Sequence, residues 1–147
     1  MKNLTVSKNI TIRKSMKLLS KSGHKSLVII DKNNNLKGTI SDGDIRKAIL
    51  NGAEMTESIK KYYQPKPTVL IKNRFKNEDA KDIFTKNKFD LIPIIDKEGI
   101  LFDILLWENV FGKSKPIEKV NLNAPVVIMA GGRGSRLKPF TNILPKP

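Results

Sequence analysis

The chain contains no cysteine and only one histidine among its 147 residues. Disulfides, thiolate catalysis and thiolate metal sites are therefore excluded, and the lone His24 cannot build a histidine cluster. No apolar run approaches the roughly 18 residues that a membrane helix needs, and no signal-peptide segment follows Met1. We therefore expect a cytoplasmic protein with no membrane partner.

Acidic residues are also few, since 14 Asp and Glu stand against 28 Lys and Arg and the net charge is +14. Such a charge is typical of nucleic-acid-binding proteins. The basic residues are spread along the whole chain, however, and no aromatic residues alternate with them as in single-strand binders. We expect no specific nucleic-acid partner, although non-specific binding stays open as an alternative. The charge should favour anionic small ligands.

An internal repeat dominates what the sequence does contain. Asp31 and Asp96 lie 65 residues apart (96 − 31), and at that offset the chain aligns without a gap from Val6 to Val110. Each copy reads as an extended entry, a helix, a hairpin and a second helix. A unit of about sixty residues is too small to bury a full core alone. The repeat therefore predicts two α/β copies that pack together about a pseudo-twofold axis.

Local signals place the elements of the first copy. Thr11 is a candidate N-cap for a helix that stops at Gly23, and a hairpin should turn at residues 33–35. We expect a second helix to open at Asp44 and a further short helix over 55–63. Two prolines in the run 64–67 then mark the boundary between the copies.

Ser41 and Asp44 lie at the junction between the hairpin and the second helix. A hydroxyl, a carboxylate and free helix N–H groups converge there, as a ribose and its phosphate require. The same Ser-x-x-Asp spacing also fits a capping box, which needs no ligand. On the ten residues around this junction alone, the capping box is the favoured interpretation, and the ligand site stays open as the other.

The duplicated unit, with a hairpin that ends in Gly38-x-x-Ser41-x-x-Asp44, resembles a tandem pair of cystathionine-β-synthase (CBS) domains. The resemblance implies two clefts between the copies that bind adenosine nucleotides such as AMP, ADP or ATP. It implies that Ser41 contacts phosphate and that Asp44 contacts ribose. The backbone that lines the adenine pocket would then be that of Ser26, Leu27 and Val28.

The second copy departs from this pattern. Leu106 stands where Ser41 does, Asn109 where Asp44 does, and Asp103 where the first copy has its glycine. Leucine cannot hydrogen-bond a phosphate, and a neutral amide is a weaker partner for a ribose diol than a carboxylate. We therefore expect one competent cleft and one degenerate cleft. We expect a homodimer formed through the CBS modules, and a pair that binds no ligand and serves only for dimerisation is the main alternative.

The character of the chain changes after a polar linker. An apolar run over 125–130, typical of a buried parallel strand, feeds a Gly-rich loop that contains Gly131, Gly132, Gly134 and Arg136. The loop lacks the Gly-Lys-Ser/Thr of a Walker motif and the third glycine of a Rossmann motif. We accordingly divide the chain into CBS repeat 1 (1–64), CBS repeat 2 (65–112), a linker (113–123) and the truncated start of another domain (124–147).

This last stretch resembles the N-terminal signature of sugar-phosphate nucleotidyltransferases, such as mannose-1-phosphate guanylyltransferase. That family transfers a nucleotidyl group from an NTP to a sugar 1-phosphate with the help of Mg²⁺. The resemblance implies that Gly131, Gly132, Gly134 and Arg136 cradle the triphosphate, and that Lys146 contacts phosphate. The family's metal-binding aspartates and sugar pocket are missing, so we expect the chain to bind ligand without being catalytic itself.

Overall fold

The computed structural model describes residues 4–112, which form two α/β units in series. The elements of the first unit are β1 (Thr5–Val6), α1 (Ile12–Ser22), β2 (Ser26–Ile30), β3 (Leu36–Ser41), α2 (Asp42–Leu50) and a 3-10 turn (Ile59–Lys61). Those of the second unit are β4 (Leu70–Ile71), α3 (Asn77–Asn87), β5 (Leu91–Ile95), β6 (Leu101–Leu106) and α4 (Trp107–Phe111). The mixed α/β fold expected from the sequence is confirmed.

Each unit contains a three-stranded sheet, in the order β1-β2-β3 and β4-β5-β6. The first two strands of each sheet are parallel and the last two are antiparallel. Every antiparallel partner pair of the first sheet recurs 65 residues later, for example Ser26 with Ser41 and Leu91 with Leu106. Both hairpins even shift register after the fourth residue of the inner strand. The repeat predicted from the sequence is therefore confirmed residue by residue in the hairpins.

The two hairpin turns meet at the pseudo-twofold axis. Asn35 and Ile100, which are equivalent positions, form an antiparallel bridge. On either side of it, the Leu36 N–H donates to the Gly99 carbonyl (3.0 Å) and the Leu101 N–H donates to the Asn34 carbonyl (2.9 Å). These two bonds are symmetry equivalents at the 65-residue offset. The copies are thus joined by backbone hydrogen bonds as well as by apolar packing.

The larger apolar core is built from both units. Leu27, Ile40 and Ile45 of the first unit share it with Leu91 and Ile104 of the second, and all five are at least nine-tenths buried. A smaller cluster centred on Phe84 belongs to the second unit alone. Burial of apolar surface contributes about 25 cal/mol per Å². Since the shared cluster needs residues of both units, the two copies should fold as one cooperative unit.

Two helix boundaries follow from the capping residues. The Thr11 hydroxyl accepts a hydrogen bond from the Lys14 N–H (3.2 Å), and α1 ends at Gly23 in the left-handed region (φ 75°), both as predicted. The second helix begins at Asp42 rather than at Asp44, because Ser41 is its N-cap. The prediction was therefore off by two residues at that end.

The predicted short helix over 55–63 is wrong, since only the turn Ile59–Lys61 is helical there. Its backbone groups are instead paired with the segment that starts α1. The Arg13 N–H donates to the Met55 carbonyl (3.0 Å), and the Ile12 N–H donates to the Glu57 carbonyl (2.9 Å). Tertiary hydrogen bonds therefore replace the local ones that a helix would require. No helix within residues 4–112 is long and apolar enough to cross a membrane.

Candidate functional site

Ser41 and Asp44 form a complete capping box at the start of α2. The Ser41 hydroxyl accepts from the Asp44 N–H (3.1 Å), and Asp44 Oδ2 accepts from the Ser41 N–H (2.8 Å). The Ser41 hydroxyl also donates to Asp44 Oδ2 (2.7 Å). The box holds both side chains in fixed positions at the helix N-terminus. Within the described residues the recorded bonds use Oδ2 alone, so the Oδ1 atom of Asp44 can still accept from a ligand.

Both side chains also line a cleft of about 490 Å³, here called the first cleft. Its volume lies in the range typical of small-molecule sites. Its polar lining comes from the α2 N-terminus, the end of β3, the segment 64–68 and the segment that joins α3 to β5. The charged residues of the first cleft are Lys25, Lys66, Lys88, Asp42, Asp44 and Asp90.

The three residues expected at the adenine pocket are not equivalent in the structure. Ser26 lines the first cleft. The side chains of Leu27 and Val28 are completely buried in the shared core, and neither residue is among those that line the cleft. These two residues therefore hold β2 in the core. Ser26, the first residue of β2, lies in the wall of the first cleft.

At Gly38, β3 packs closely against the segment that closes one side of the first cleft. Thr39 and Gln64 form an antiparallel bridge, in which the Gln64 N–H donates to the Thr39 carbonyl (2.8 Å). A Cβ atom at Gly38 would overlap the Gln64 carbonyl oxygen and lie 2.6 Å from Cδ2 of Tyr63. The glycine is thus required by close packing. The bridge carries the chain directly into residues 66–68, which line the cleft.

A pair of side chains fixes this segment just before the bridge. The Tyr62 hydroxyl donates to Glu57 Oε2 (2.8 Å), and the Glu54 N–H donates to Glu57 Oε1 (2.9 Å). The hydrogen bond from the Glu54 N–H, followed by that from Tyr62, lowers the pKa of Glu57. The hydrogen bond to Glu57 raises the pKa of the Tyr62 phenol. Both groups therefore keep the protonation states that maintain the contact at neutral pH.

A second cleft, of about 630 Å³, lies at the position related to the first by the 65-residue offset. Leu106 and Trp107 line it where the first cleft has Ser41 and Asp42, and Asn109 does not line it. No side chain caps α4. Leu106 therefore removes a hydrogen-bonding group from the helix terminus of this cleft, as predicted.

His24, the single histidine, lies in the wall of the second cleft. Its Nδ1 atom lies 3.9 Å from Asp90 Oδ2, and its Nε2 atom lies 3.9 Å from Glu108 Oε1. The Lys25 N–H also donates to Asp90 Oδ2 (2.8 Å). These contacts join the first repeat to the second at the wall between the clefts.

Sequence reasoning missed several residues that line the first cleft, among them Lys66 and Lys88. Lys66 lies in the proline-rich stretch that was read only as a boundary. Lys88 could have been found from the offset alignment, because it stands where the first repeat has Gly23. A lysine in place of a helix-ending glycine is a detectable signal.

The remaining predicted site residues lie outside the described residues. They are Gly131, Gly132, Gly134, Arg136 and Lys146. Within residues 4–112, no group of three or more His, Asp or Glu side chains could hold a metal ion. The candidate site within the described residues is therefore formed by the two clefts.

Comparison with known proteins identifies the repeat. Residues 1–51 match the family described as the CBS domain. A crystal structure of the CBS-pair protein CBSX2 from Arabidopsis thaliana superposes with a TM-score of 0.63 at 25% identity, over 74% of this chain and 84% of that one. CBSX2 in complex with AMP gives a TM-score of 0.62 at 26% identity, over 72% and 82% of the two chains. Residues 4–112 thus have the fold of a tandem pair of CBS domains.

Two curated relatives each match more than half of this chain. An uncharacterized 17.7 kDa protein of Acidianus ambivalens is 33% identical over 100 residues, which cover 68% of this chain and 60% of that protein. The arabinose 5-phosphate isomerase GutQ of Escherichia coli K12 is 26% identical over 91 residues, 62% of this chain and 28% of the isomerase. The chain therefore spans less than two thirds of either relative.

Proposed function

We propose that the CBS pair binds an adenosine nucleotide in the first cleft and thereby acts as a nucleotide-sensing regulatory module. The observation that carries the proposal is the N-terminus of α2, where Ser41 and Asp44 are held in place at the wall of a 490 Å³ cleft. The likeness to CBSX2, which is described in complex with AMP, supports the ligand class. The ligand-binding groups are thus a hydroxyl, a carboxylate and helix N–H donors.

The helix terminus suits the two polar parts of such a ligand. The carboxylate of Asp44 can accept hydrogen bonds from ribose hydroxyls through Oδ1, which the capping box leaves unused within the described residues. The N–H of Gly43, in the first turn of α2, has no acceptor inside the helix and contributes to the positive potential of the helix N-terminus. A phosphate bound there would accept hydrogen bonds from the N–H groups that have no acceptor inside the helix.

Binding of adenine nucleotides to wild type and to Asp44→Ala tests this proposal. A charge-assisted hydrogen bond contributes about 1.5–3 kcal/mol, so the variant should bind AMP, ADP or ATP at least about tenfold more weakly in calorimetric titration. Absence of binding to all three nucleotides in wild type would overturn the proposal.

A matched control separates lost binding from lost capping. Asp79 caps α3 through the same backbone contact, since its Oδ2 accepts from the Lys76 N–H (2.9 Å), and it lines neither cleft. Asp79→Ala should lower the melting temperature in the way that Asp44→Ala does, while nucleotide affinity stays unchanged. Equal losses of affinity in the two variants would assign the effect to stability alone.

The second candidate function is a ligand-free dimerisation module. The capping box favours it, because Ser41 and Asp44 already satisfy each other without a ligand. Leu50 on α2 is also 80% exposed, as an apolar contact residue of a dimer would be in the isolated chain. Light scattering that shows a dimer, together with no nucleotide binding, would favour this candidate over the first.

We further propose that the module regulates a sugar-1-phosphate nucleotidyltransferase. The Gly-rich stretch with Arg136 and Lys146 supports this proposal as a sequence motif, and these residues lie outside the described part of the chain. In that reaction a sugar phosphate oxygen attacks the α-phosphorus of an NTP, and the two basic side chains would stabilise the charge there. Mg²⁺ would be bound by residues that the 147-residue sequence does not contain.

Pyrophosphate release tests this parent activity. The 147-residue chain should release none from an NTP and a sugar 1-phosphate. A longer protein that carries the chain should release it, and Arg136→Ala should abolish the release. Regulation would require that nucleotide binding to the CBS pair changes the affinity for NTP or sugar phosphate, and the reverse. A longer protein whose activity does not respond to any adenosine nucleotide would contradict the regulatory role.

A further inference from the structure

Lys88 adopts a backbone conformation that is unfavourable for a lysine. It ends α3 in the left-handed region, with φ 55° and ψ 36°, and its N–H donates to the Phe84 carbonyl (2.8 Å). The equivalent residue of the first repeat is Gly23, which ends α1 at φ 75° with the corresponding bond to Leu19 (3.0 Å). Left-handed backbone is strained for residues that carry a Cβ atom, and glycine is the usual residue at this position.

Space alone does not explain the difference between the two helix ends. A Cβ atom added at Gly23 would have no atom within 4 Å, so this type of turn accommodates a side chain. The glycine of the first repeat therefore relieves backbone strain, and the lysine of the second repeat retains it. A strained residue that is held by its surroundings often marks a functional position.

The position of Lys88 supplies a function, because the residue lines both the first and the second cleft. Lys25 and Lys66 accompany it in the first cleft. Within residues 4–112 none of these three lysines forms an ion pair. Their ammonium charges thus remain available to an anionic ligand.

The aspartates of the first cleft are engaged in other contacts. Asp42 pairs with Arg46, and Asp90 accepts from the Lys25 N–H and lies 3.9 Å from His24. Asp44 accepts two hydrogen bonds from Ser41. The carboxylates are therefore partly compensated by the protein, whereas the three ammonium groups are not. This difference favours a ligand with several negative charges.

We propose that Lys88 is a phosphate-binding residue of the first cleft and that it selects adenosine ligands with two or three phosphates over AMP and adenosine. This inference rests on the proposed function, in which the first cleft binds an adenosine nucleotide. It assigns the strained backbone at the end of α3 to ligand binding. Stability of the free protein and affinity for the ligand should accordingly change in opposite directions when Lys88 is replaced by glycine.

Two substitutions separate the charge of Lys88 from its backbone strain. Lys88→Gly removes both, so the melting temperature without ligand should rise by on the order of 2–5 °C while ATP binds about tenfold more weakly. Lys88→Gln removes only the charge, so ATP affinity should fall by a similar factor without that rise in melting temperature. Lys86→Gln is the matched control, since Lys86 lies in the last turn of α3 and lines neither cleft. Its ATP affinity should equal that of wild type.

Calorimetric titration with adenosine, AMP, ADP and ATP at low and moderate salt completes the test. The loss in Lys88→Gln should increase from adenosine to ATP and should shrink as salt rises. Wild-type binding of ATP with no loss in the Lys88 variants, or with equal losses for adenosine and ATP, would overturn the inference and leave the proposed function intact. Failure of wild type to bind any of the four ligands would overturn both.

Discussion

The two CBS repeats share a backbone and differ in the chemistry of their helix termini. Their hairpins pair at the same positions, and α1 and α3 have the same length and the same 65-residue spacing. The first repeat caps α2 with Ser41 and Asp44, whereas the second places Leu106 before an α4 of five residues. The apolar pattern and the turns, which the two repeats share, therefore determine their common fold. A few polar side chains at one junction then distinguish the two clefts.

The two hairpin turns likewise share a backbone geometry and differ in their side-chain contacts. Asp31 Oδ1 accepts from the Asn33 and Asn35 N–H groups, and Asp96 Oδ1 accepts equivalently from Glu98 and Ile100. The shared turn geometry is therefore maintained by one carboxylate in each copy. Only the first turn adds side-chain partners, the amide of Asn35 and the ammonium of Lys37. Their counterparts, Ile100 and Phe102, cannot provide them.

The largest effect should come from the aromatic centre of the second repeat. Phe84 is fully buried and packs edge-to-face against Trp107 and Phe111, so Phe84→Ala should lower the free energy of unfolding by about 3–5 kcal/mol. Leu19→Ala, at the equivalent position of the first repeat, should cost about 2–5 kcal/mol. Urea denaturation measures both losses.

The same denaturation tests whether the repeats fold together. Trp107 is the single tryptophan and reports on the second repeat, whereas far-ultraviolet circular dichroism reports on both. Because the larger core joins the copies, the two signals should show one coincident transition in wild type. Separate transitions for the two signals would contradict the shared core.

Exchange of residues between Gly38 and Asp103 should show the next largest asymmetry. Gly38→Asp forces a Cβ atom into the Gln64 backbone and the Tyr63 ring, and should cost about 1–3 kcal/mol or more. Asp103→Gly should cost only about 0.5–1 kcal/mol, the usual penalty for glycine within a strand. Thermal unfolding of both variants measures the difference. Equal losses would mean that the close approach at Gly38 is not required.

The capping box should contribute a smaller amount that can be moved between the repeats. Ser41→Ala removes the cap of α2 and should cost about 1 kcal/mol. The double variant Leu106→Ser with Asn109→Asp introduces the same box before α4 and should gain at most about that much. Chemical denaturation measures both. Loss of stability in the double variant would show that Leu106 contributes more by packing than a cap can replace.

The smallest expected effect is the pH dependence of the first turn. The hydrogen bond from the Asn35 amide, followed by that from Lys37, holds the pKa of Asp31 well below its usual value. A carboxyl group whose pKa is lowered in the folded state contributes stability above its unfolded pKa, near 3.8, and loses it as pH falls through the folded value. Asp31→Asn should therefore lower the melting temperature at pH 7 and have less effect below pH 4. An effect that does not depend on pH would contradict this origin.

The hairpins and the first cap could be predicted from the sequence because their causes are local. Apolar runs, the Asn-rich turn and the Thr11 cap act over a few residues, and the 65-residue offset then predicts the second copy. The segment 55–63 could not be predicted, since its carbonyl groups accept from Ile12 and Arg13 far away in the sequence. Helical propensity was overridden there by tertiary hydrogen bonds.

The candidate site was predictable only in its centre. Ser41 and Asp44 follow from motif spacing, whereas Lys66 and Lys88 reach the first cleft through the bridge at Gln64 and the left-handed end of α3. Neither route follows from local sequence pattern, although the 65-residue offset does mark Lys88 as the counterpart of Gly23. Leu27 and Val28 are the opposite case. They follow Ser26 of the first cleft in the sequence, but their side chains are buried in the core and do not line the cleft.

The central claim is that one of the two clefts binds a nucleotide and the other does not. Calorimetric stoichiometry of ATP tests it most directly, with Asp44→Ala and Asn109→Ala as the pair of equivalent variants. The account predicts one site per chain, affinity reduced at least about tenfold in Asp44→Ala, and affinity unchanged in Asn109→Ala. Two equal sites per chain, or equal losses in the two variants, would contradict it.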